Sequence, residues 1–297
     1  MISKLINRII NKFLKINLFL NQFNEIKILN GIKILDGRKT DELDINKYEL
    51  KIFSQFGEDG IIDFLVKKLS IKSKYFIEFG VEDYSESNTK FLLEARNWSG
   101  EIYEAEKKYV DHIRQQNFYW RYNLNIKNIF VNKTNINNLV ENFLKKNNID
   151  KLGLLSVDID GVDYWIWKEL NITNPEIVII EYNARLGYDQ SIVVPYEENF
   201  QRLKKHYSSI YFGASLNALY KLGIEKGYAL VGTNLNGSNA FFVRKDLLQK
   251  SGLKELKPID CFNVNSFNEL RSKSGLLIER DAKRENDILK KMTFEKV

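Results

Sequence analysis

From Lys51 onward, continuous apolar runs of four to six residues alternate with longer stretches of helical periodicity. The pattern predicts a helix over 58–69, a strand over 75–80, a helix over 88–96 and a strand over 100–104. It continues with a helix near 106–117, a strand at 128–132, a helix over 136–147, a strand ending at Asp158, a helix over 163–170 and a strand over 176–182. Uninterrupted apolar strands separated by helices imply βαβ units and a parallel sheet buried on both faces. Near the end the rhythm changes. A helix closing near Lys226-Gly227 precedes Tyr228–Thr233, the turn Asn236-Gly237-Ser238-Asn239 and Ala240–Arg244, which reads as a β-hairpin.

Before this region, residues 1–23 carry Lys4, Arg8, Lys12 and Lys15 and no acid. Ile2, Leu5, Ile6, Ile9, Ile10, Phe13 and Leu14 recur at three- and four-residue spacing, as on one face of a helix. Charge interrupts the stretch too often for a membrane span, and it lacks the continuous apolar core and small-residue cleavage site of a signal peptide. A basic amphipathic helix docks on its own domain, on a second copy in a homodimer, or peripherally on a membrane. Residues 250–297 are charged and weakly periodic. The expected organisation is therefore an N-terminal helical extension (1–50), an α/β domain (51–247) and a C-terminal appendage (248–297).

Composition narrows the function. The 45 basic and 39 acidic residues are dispersed, without the Arg-rich blocks or aromatic-basic alternation of a nucleic-acid surface, so no nucleic-acid partner is expected. The single cysteine, Cys261, excludes an intrachain disulfide, and only two histidines exclude a Cys/His zinc site. A reducing, cytoplasmic compartment is expected.

The chemistry lies where apolar strands run into acids: Tyr75-Phe-Ile-Glu-Phe-Gly80 before Val-Glu-Asp-Tyr-Ser-Glu-Ser-Asn88, and Leu154-Leu-Ser-Val-Asp158 before Ile-Asp-Gly-Val-Asp163. In an open parallel sheet, groups just past the carboxyl ends of strands face a ligand crevice. Gly80 permits close backbone approach. Glu104, ending the second strand, offers two acceptor oxygens, and Asn132 ends the predicted third strand. Asp158, Asp160, Glu181 and Asn183 form a second group on neighbouring strand ends, able to act as a base or to bind Mg²⁺. His206 is a further base candidate.

In that order, Phe53-Ser-Gln-Phe-Gly-Glu-Asp-Gly-Ile61, Glu78-Phe-Gly80 with Ser87-Asn-Thr89, Trp98-Ser-Gly100 leading to Glu104, and Asp158-Ile-Asp-Gly161 resemble the FkbM-type S-adenosylmethionine-dependent methyltransferases. A bacterial branch with Glu-Tyr-Asn at 181–183, Tyr-Phe-Gly-Ala-Ser at 211–215 and Asn-Ala-Phe-Phe-Val-Arg at 239–244 is the closer match, over about 52–247. The resemblance implies a Rossmann-like class I methyltransferase fold: a mostly parallel seven-stranded sheet with a C-terminal hairpin and helices on both faces. It implies S-adenosylmethionine as cofactor, with Gln55, Glu78, Gly80, Glu82, Asn88, Glu104, Asn132 and Asp158 around it. Asp158, Asp160 and His206 would be catalytic; Glu181, Asn183, Tyr188 and Tyr196 would meet a carbohydrate or small-molecule acceptor; Asp158, Asp160 and Glu181 would hold Mg²⁺ if a metal is used. The expected reaction is O-methylation in glycan or capsule modification.

One departure stands out. A glycine-rich loop would read Glu-x-Gly-x-Gly-x-Gly, yet Glu82 and Tyr84 occupy the second and third glycine positions. Gln55, Glu58 and Asp59 also suit a helix N-terminus as well as a cofactor flap. Trp165 and Trp167 read as core. Two alternatives follow: a catalytically degenerate methyltransferase fold that binds a nucleotide-sugar or a protein, and a Mg²⁺-dependent phosphatase using Asp158-Ile-Asp160-Gly161.

Overall fold

A computed structural model describes residues 2–297. The side chains of Ile2, Leu5, Ile6, Ile9, Ile10, Phe13 and Leu14, the apolar face read from the sequence, lie outside the described set.

The elements in chain order are α1 (Ile2–Gly37), α2 (Glu58–Lys68), β1 (Tyr75–Phe79), α3 (Lys90–Arg96), β2 (Ser99–Glu104), α4 (Lys107–Arg114), α5 (Asn117–Arg121) and β3 (Leu124–Asn128). They continue through α6 (Ile136–Asn147), β4 (Leu154–Val157), α7 (Asp163–Glu169), β5 (Ile177–Glu181), β6 (Ile192–Val193), α8 (Arg202–Lys205), α9 (Leu216–Glu225), β7 (Tyr228–Thr233) and β8 (Asn239–Arg244). The last are α10 (Lys245–Ser251), α11 (Pro258–Cys261), α12 (Ala282–Leu289) and β9 (Glu295–Lys296).

Seven strands form one sheet in the order β3-β2-β1-β4-β5-β8-β7. The first five are mutually parallel, and β8 is antiparallel to both β5 and β7. The chain builds outward from β1 to β3, then crosses back to lay β4 on the other side of β1, so a switch point opens between the carboxyl ends of β1 and β4. This is the class I methyltransferase strand order, as expected, with the hairpin completing the sheet.

Two apolar layers cover the sheet. One gathers Ile77, Phe79, Val157, Ile166, Trp167, Ile180, Leu219 and Phe242. The other gathers Phe64, Phe76, Leu92, Ile102, Leu154, Ile179 and Phe241. Alternate residues of each strand serve opposite layers, which is why the central strands read as unbroken apolar runs. Trp167 is core, as its helical spacing implies, with Tyr228 and Phe242 at ring-centroid distances of 5.6 and 4.9 Å.

The third strand is displaced from its predicted place, lying at 124–128 and not at 128–132. β3 is the edge strand, so its sequence alternates: Leu124 and Ile126 are buried while Lys127 and Asn128 face solvent. The more apolar Ile129-Phe-Val131 run leaves the sheet and leads into α6.

The terminal segments are built into the domain. Ile45 and Tyr48 are buried, with the Tyr48 ring stacked on Phe64 at 3.8 Å. Ile28, Ile32 and Leu35 of α1 pack with Ile52, Phe53 and Phe91. Leu253 and Leu270 are buried, and β9 pairs with β6. No helix among the described residues is long and apolar enough to cross a membrane.

Replacing Trp167 with alanine should remove about 3–5 kcal/mol of stability, because a cavity opens between α7 and the hairpin. Urea unfolding followed by tryptophan-independent circular dichroism measures it; a loss below about 1 kcal/mol would show that this contact is not core.

Candidate functional site

Parallel pairing aligns the carboxyl ends of β2, β1, β4 and β5, so Glu104, Gly80, Asp158 and Glu181 form a row along one sheet edge. At the centre, Gly80 has φ +74°, and a Cβ there would sit 1.6 Å from the Asp158 carbonyl oxygen. Only glycine allows the two strand ends to close up in this way.

Glu78 is buried and spent on its own chain. Its Oε1 accepts from the Asn88 amide at 2.9 Å; its Oε2 accepts from the Thr89 amide at 3.2 Å and the Thr89 hydroxyl at 2.5 Å. The Ser156 hydroxyl of β4 reaches Oε1 at 3.4 Å, and the Asn88 amide side chain donates to Ser156 at 3.1 Å. Glu78 and Asn88 thus clamp loop 81–89 to β1 and β4. Burial pushes the Glu78 carboxyl up, against these hydrogen bonds.

The clamped loop keeps a glycine-like path without the glycines. Glu82 and Tyr84 have φ of +47° and +62°, in the left-handed region. Such residues cost of order 1–3 kcal/mol each and persist only where neighbours hold them. Tyr84 is fully buried, its hydroxyl 2.9 Å from that of Thr89. The Glu82 amide is turned onto Glu104, donating to Oε2 at 2.8 Å, while the Glu106 amide donates to Oε1 at 2.7 Å. Glu104 is consequently fixed at the mouth of β2, its carboxyl raised by burial despite both amides. The Glu82 side chain is exposed, its carboxyl raised by partial desolvation and then by Asp160.

On the other side of the switch point, Asp158, Asp163 and Glu181 place one carboxylate oxygen each within 4.8 Å of one another. Asp163, the first residue of α7, accepts from the Ile159 amide at 2.8 Å and the Gly161 amide at 3.0 Å, and burial pushes its carboxyl up to about 6. Glu181 Oε2 is buried without a hydrogen-bond partner among the described residues. Burial, then the neighbouring acids, raise both Asp158 and Glu181 well above the ordinary carboxylate range. Three closely spaced carboxylates with an orphaned oxygen offer hard oxygen ligands of the kind a divalent cation takes.

Asp160 is not one of this trio, although its charge helps to raise Asp158 and Glu181. It is exposed at φ +56° and paired with Arg202 at 2.6 Å. Arg202 also pairs with Glu269, bonds the Ser209 carbonyl and lies on the Phe212 ring at 3.7 Å. Burial would lower its guanidinium pKa, but Asp160 and Glu269 outweigh this and raise it. Glu269 in turn holds Arg185 at 2.5 Å, and Arg185 reaches Glu285 at 3.3 Å. The C-terminal segment therefore anchors the only arginine pairing with this acidic group among the described residues. Nothing in the sequence pattern singled out Arg202 or Glu269, since the partners are 42 and 67 residues from Arg202.

The remaining predicted residues fall as follows. The Asn183 side chain is buried, donating to the Ile210 and Phe212 carbonyls, both at 3.0 Å, so it holds the 210–214 segment beside β5. Asn132 is not on a strand; its side chain accepts from Thr134 and Asn135 in the turn before α6. Tyr196 lies close to it, its hydroxyl accepting from the Lys133 amide at 3.2 Å and its ring under the Lys133 ammonium at 4.6 Å. Tyr188 is exposed beside Phe262. Asp59 accepts from the Ile52, Phe53 and Ser54 amides, and Glu58 accepts from Asn234 and Asn239 of the hairpin at 2.7 and 3.0 Å, while Gln55 is exposed. His206 bonds Ser208 at 2.6 Å and lines a separate cavity of about 570 Å³ with Arg271 and Met292.

No family model matches the chain, and no curated protein matches it at a significant level. Partial likeness to solved structures is present. A S-adenosylmethionine-dependent methyltransferase from Clostridium acetobutylicum is 9% identical, with a TM-score of 0.41, over 75% of this chain and 98% of its own. A putative caffeoyl-CoA O-methyltransferase from Staphylococcus aureus is 12% identical, with a TM-score of 0.37, over 79% and 99%. The N-terminal domain of EvdMO1, solved in the presence of SAH and D-fucose, is 8% identical, with a TM-score of 0.38, over 60% and 77%. The fold assignment stands on the strand order and not on these similarities.

The raised carboxyls dictate a pH dependence. The folded chain keeps protons that the unfolded chain releases, so the stability from Asp158, Asp163 and Glu181 is full below their ordinary values of 3.8 to 4.5 and is lost as pH rises through the raised ones. For Asp163 that window runs from 3.8 to about 6. Glu181→Gln should therefore raise the melting temperature at about pH 8 in metal-free buffer and leave it nearly unchanged at about pH 4.5. A variant effect independent of pH would contradict the clustering of these charges.

Proposed function

We propose that this chain is a S-adenosylmethionine-dependent methyltransferase that methylates a hydroxyl oxygen of a sugar, a glycan or a related small-molecule intermediate. The observation carrying this reading is Glu104, fixed by two backbone amides at the end of β2, beside a switch point whose loop is left-handed at 80, 82 and 84. Each Glu104 oxygen receives one amide and retains acceptor capacity, which suits the two hydroxyls of a ribose. S-adenosylmethionine, when bound, supplies an electrophilic methyl group for direct displacement. Gly80 and loop 81–89 would receive it.

The chain's own part is alignment and proton removal. Asp158, Asp163 and Glu181 crowd charge where an acceptor hydroxyl would approach, so in the absence of a cation they favour holding a proton. A divalent cation such as Mg²⁺ would fit this trio and return it to the ionised form, with Asp163 taking the place foreseen for Asp160. The segment 184–199, with Tyr188 and Tyr196, would shape acceptor choice. Assignment to the FkbM-type family rests on the ordered motifs between 53 and 244.

The binding-module reading draws support from the Asp160–Arg202 pair, which spends one of the foreseen acids on a structural contact. It predicts binding of a nucleotide-sugar or a protein partner without turnover. The phosphatase reading needs an ionised Asp158 nucleophile, which burial and the neighbouring acids disfavour.

The test is release of S-adenosylhomocysteine on incubation with a panel of sugar and nucleotide-sugar acceptors, with Mg²⁺ or with a chelator. Acceptor-dependent release is expected, with kcat/KM falling at least about tenfold in Glu104→Ala and Mg²⁺ stimulation lost in Glu181→Gln. Release unaffected by Glu104→Ala would overturn the assignment of this crevice.

A further inference from the structure

Helix α1 spans 36 residues, about 54 Å at 1.5 Å per residue. Its packed side is set by Ile28, Ile32 and Leu35, which meet Ile52, Phe53 and Phe91. Gly31 sits between them, where a Cβ would lie 2.4 Å from Ile52 Cδ1, so this helix approaches the domain closely. At about 100° per residue, Phe19, Phe23 and Ile26 fall on the opposite side of the cylinder. They are 66%, 56% and 56% exposed, and Ile16 and Ile34 on the same side are 45% and 46% exposed.

This outward stripe continues toward the N-terminus with a change of chemistry. Steps of three, four and four residues lead back from Ile26 through Phe23 and Phe19 to the exposed Lys15, and three more reach Lys12. The same spacing in the sequence reaches Arg8 and Lys4. Among the described side chains, one side of the helix thus carries Lys12 and Lys15 followed by two phenylalanines and an isoleucine. No acid occurs in the sequence before Glu25. At that point Arg121 lies 3.7 Å from Glu25, which sets α5 beside α1.

We propose that the outward stripe of α1 docks on an anionic lipid surface, with the lysines and arginine at the headgroups and Phe19, Phe23 and Ile26 in the headgroup–acyl boundary. A cationic row matches anionic headgroups, and exposed aromatic and aliphatic side chains gain by leaving water. A second copy of the chain is the poorer occupant: parallel pairing would bring four cations against four, and antiparallel pairing would set cations against phenylalanines. The helix would hold the domain beside a membrane surface without crossing it.

The test is co-sedimentation of the full chain with phosphatidylcholine vesicles and with vesicles that also contain phosphatidylglycerol. Binding is expected only to the anionic vesicles and should fall steeply with added salt. The double variants Phe19→Ser/Phe23→Ser and Lys12→Glu/Lys15→Glu should each weaken it at least about tenfold, with unchanged melting temperatures. Failure to bind anionic vesicles, or binding that neither variant weakens, overturns the proposal. Light scattering that shows a dimer dissolved by Phe19→Ser/Phe23→Ser would overturn it too, and assign the stripe to a second copy.

Discussion

The buried carboxylate of Glu78 is the interaction on which the crevice depends. It ties the end of β1 to Ser156 of β4, to the Asn88 and Thr89 amides and to the Thr89 hydroxyl. Removing such an acceptor would leave buried donors unsatisfied on one neighbouring strand and on the loop. The left-handed residues Glu82 and Tyr84 tolerate their strain because this clamp closes the loop behind them. The loop then turns the Glu82 amide onto Glu104. One buried acid at the end of β1 thereby sets the position of a second buried acid at the end of β2.

The second constraint is charge. Asp158, Asp163 and Glu181 lie too close for all three to ionise comfortably, and the nearby guanidinium of Arg202 is shared between Asp160 and Glu269. That guanidinium is held by residues far along the chain, through Glu269 to Arg185 and Glu285. The last fifty residues are therefore part of what keeps this side of the crevice in shape. Likewise Glu58, at the start of α2, accepts from Asn234 and Asn239, so the hairpin and the first helix of the domain brace each other.

The central sheet was legible because β1, β4 and β5 are buried on both faces and read as unbroken apolar runs, and because Asn-Gly marks the hairpin. The edge strand β3 was misplaced for the converse reason: a strand buried on one side alternates, and a more apolar loop followed it. Within the candidate site, the placement of Gly80, Glu104, Asp158 and Glu181 along one sheet edge could be foreseen because strand ends in a parallel sheet share that edge. The clamp at Glu78, the tethering of Asn183 and the capture of Asp160 by Arg202 could not, since each depends on contacts made across long stretches of chain. Asp163 sat in plain view as the first residue of a helix, where an acid is ordinary, and only the geometry brings it to Asp158 and Glu181.

The central claim is that the crevice between β1, β2 and β4 receives S-adenosylmethionine with Glu104 on the ribose. Titration calorimetry of S-adenosylmethionine and S-adenosylhomocysteine into the wild-type chain and into Glu104→Ala tests it without any knowledge of the acceptor. The account predicts binding in the micromolar range that the substitution weakens about tenfold or more, the scale of a hydrogen bond to a charged group. A folded wild-type chain that binds neither compound would contradict it.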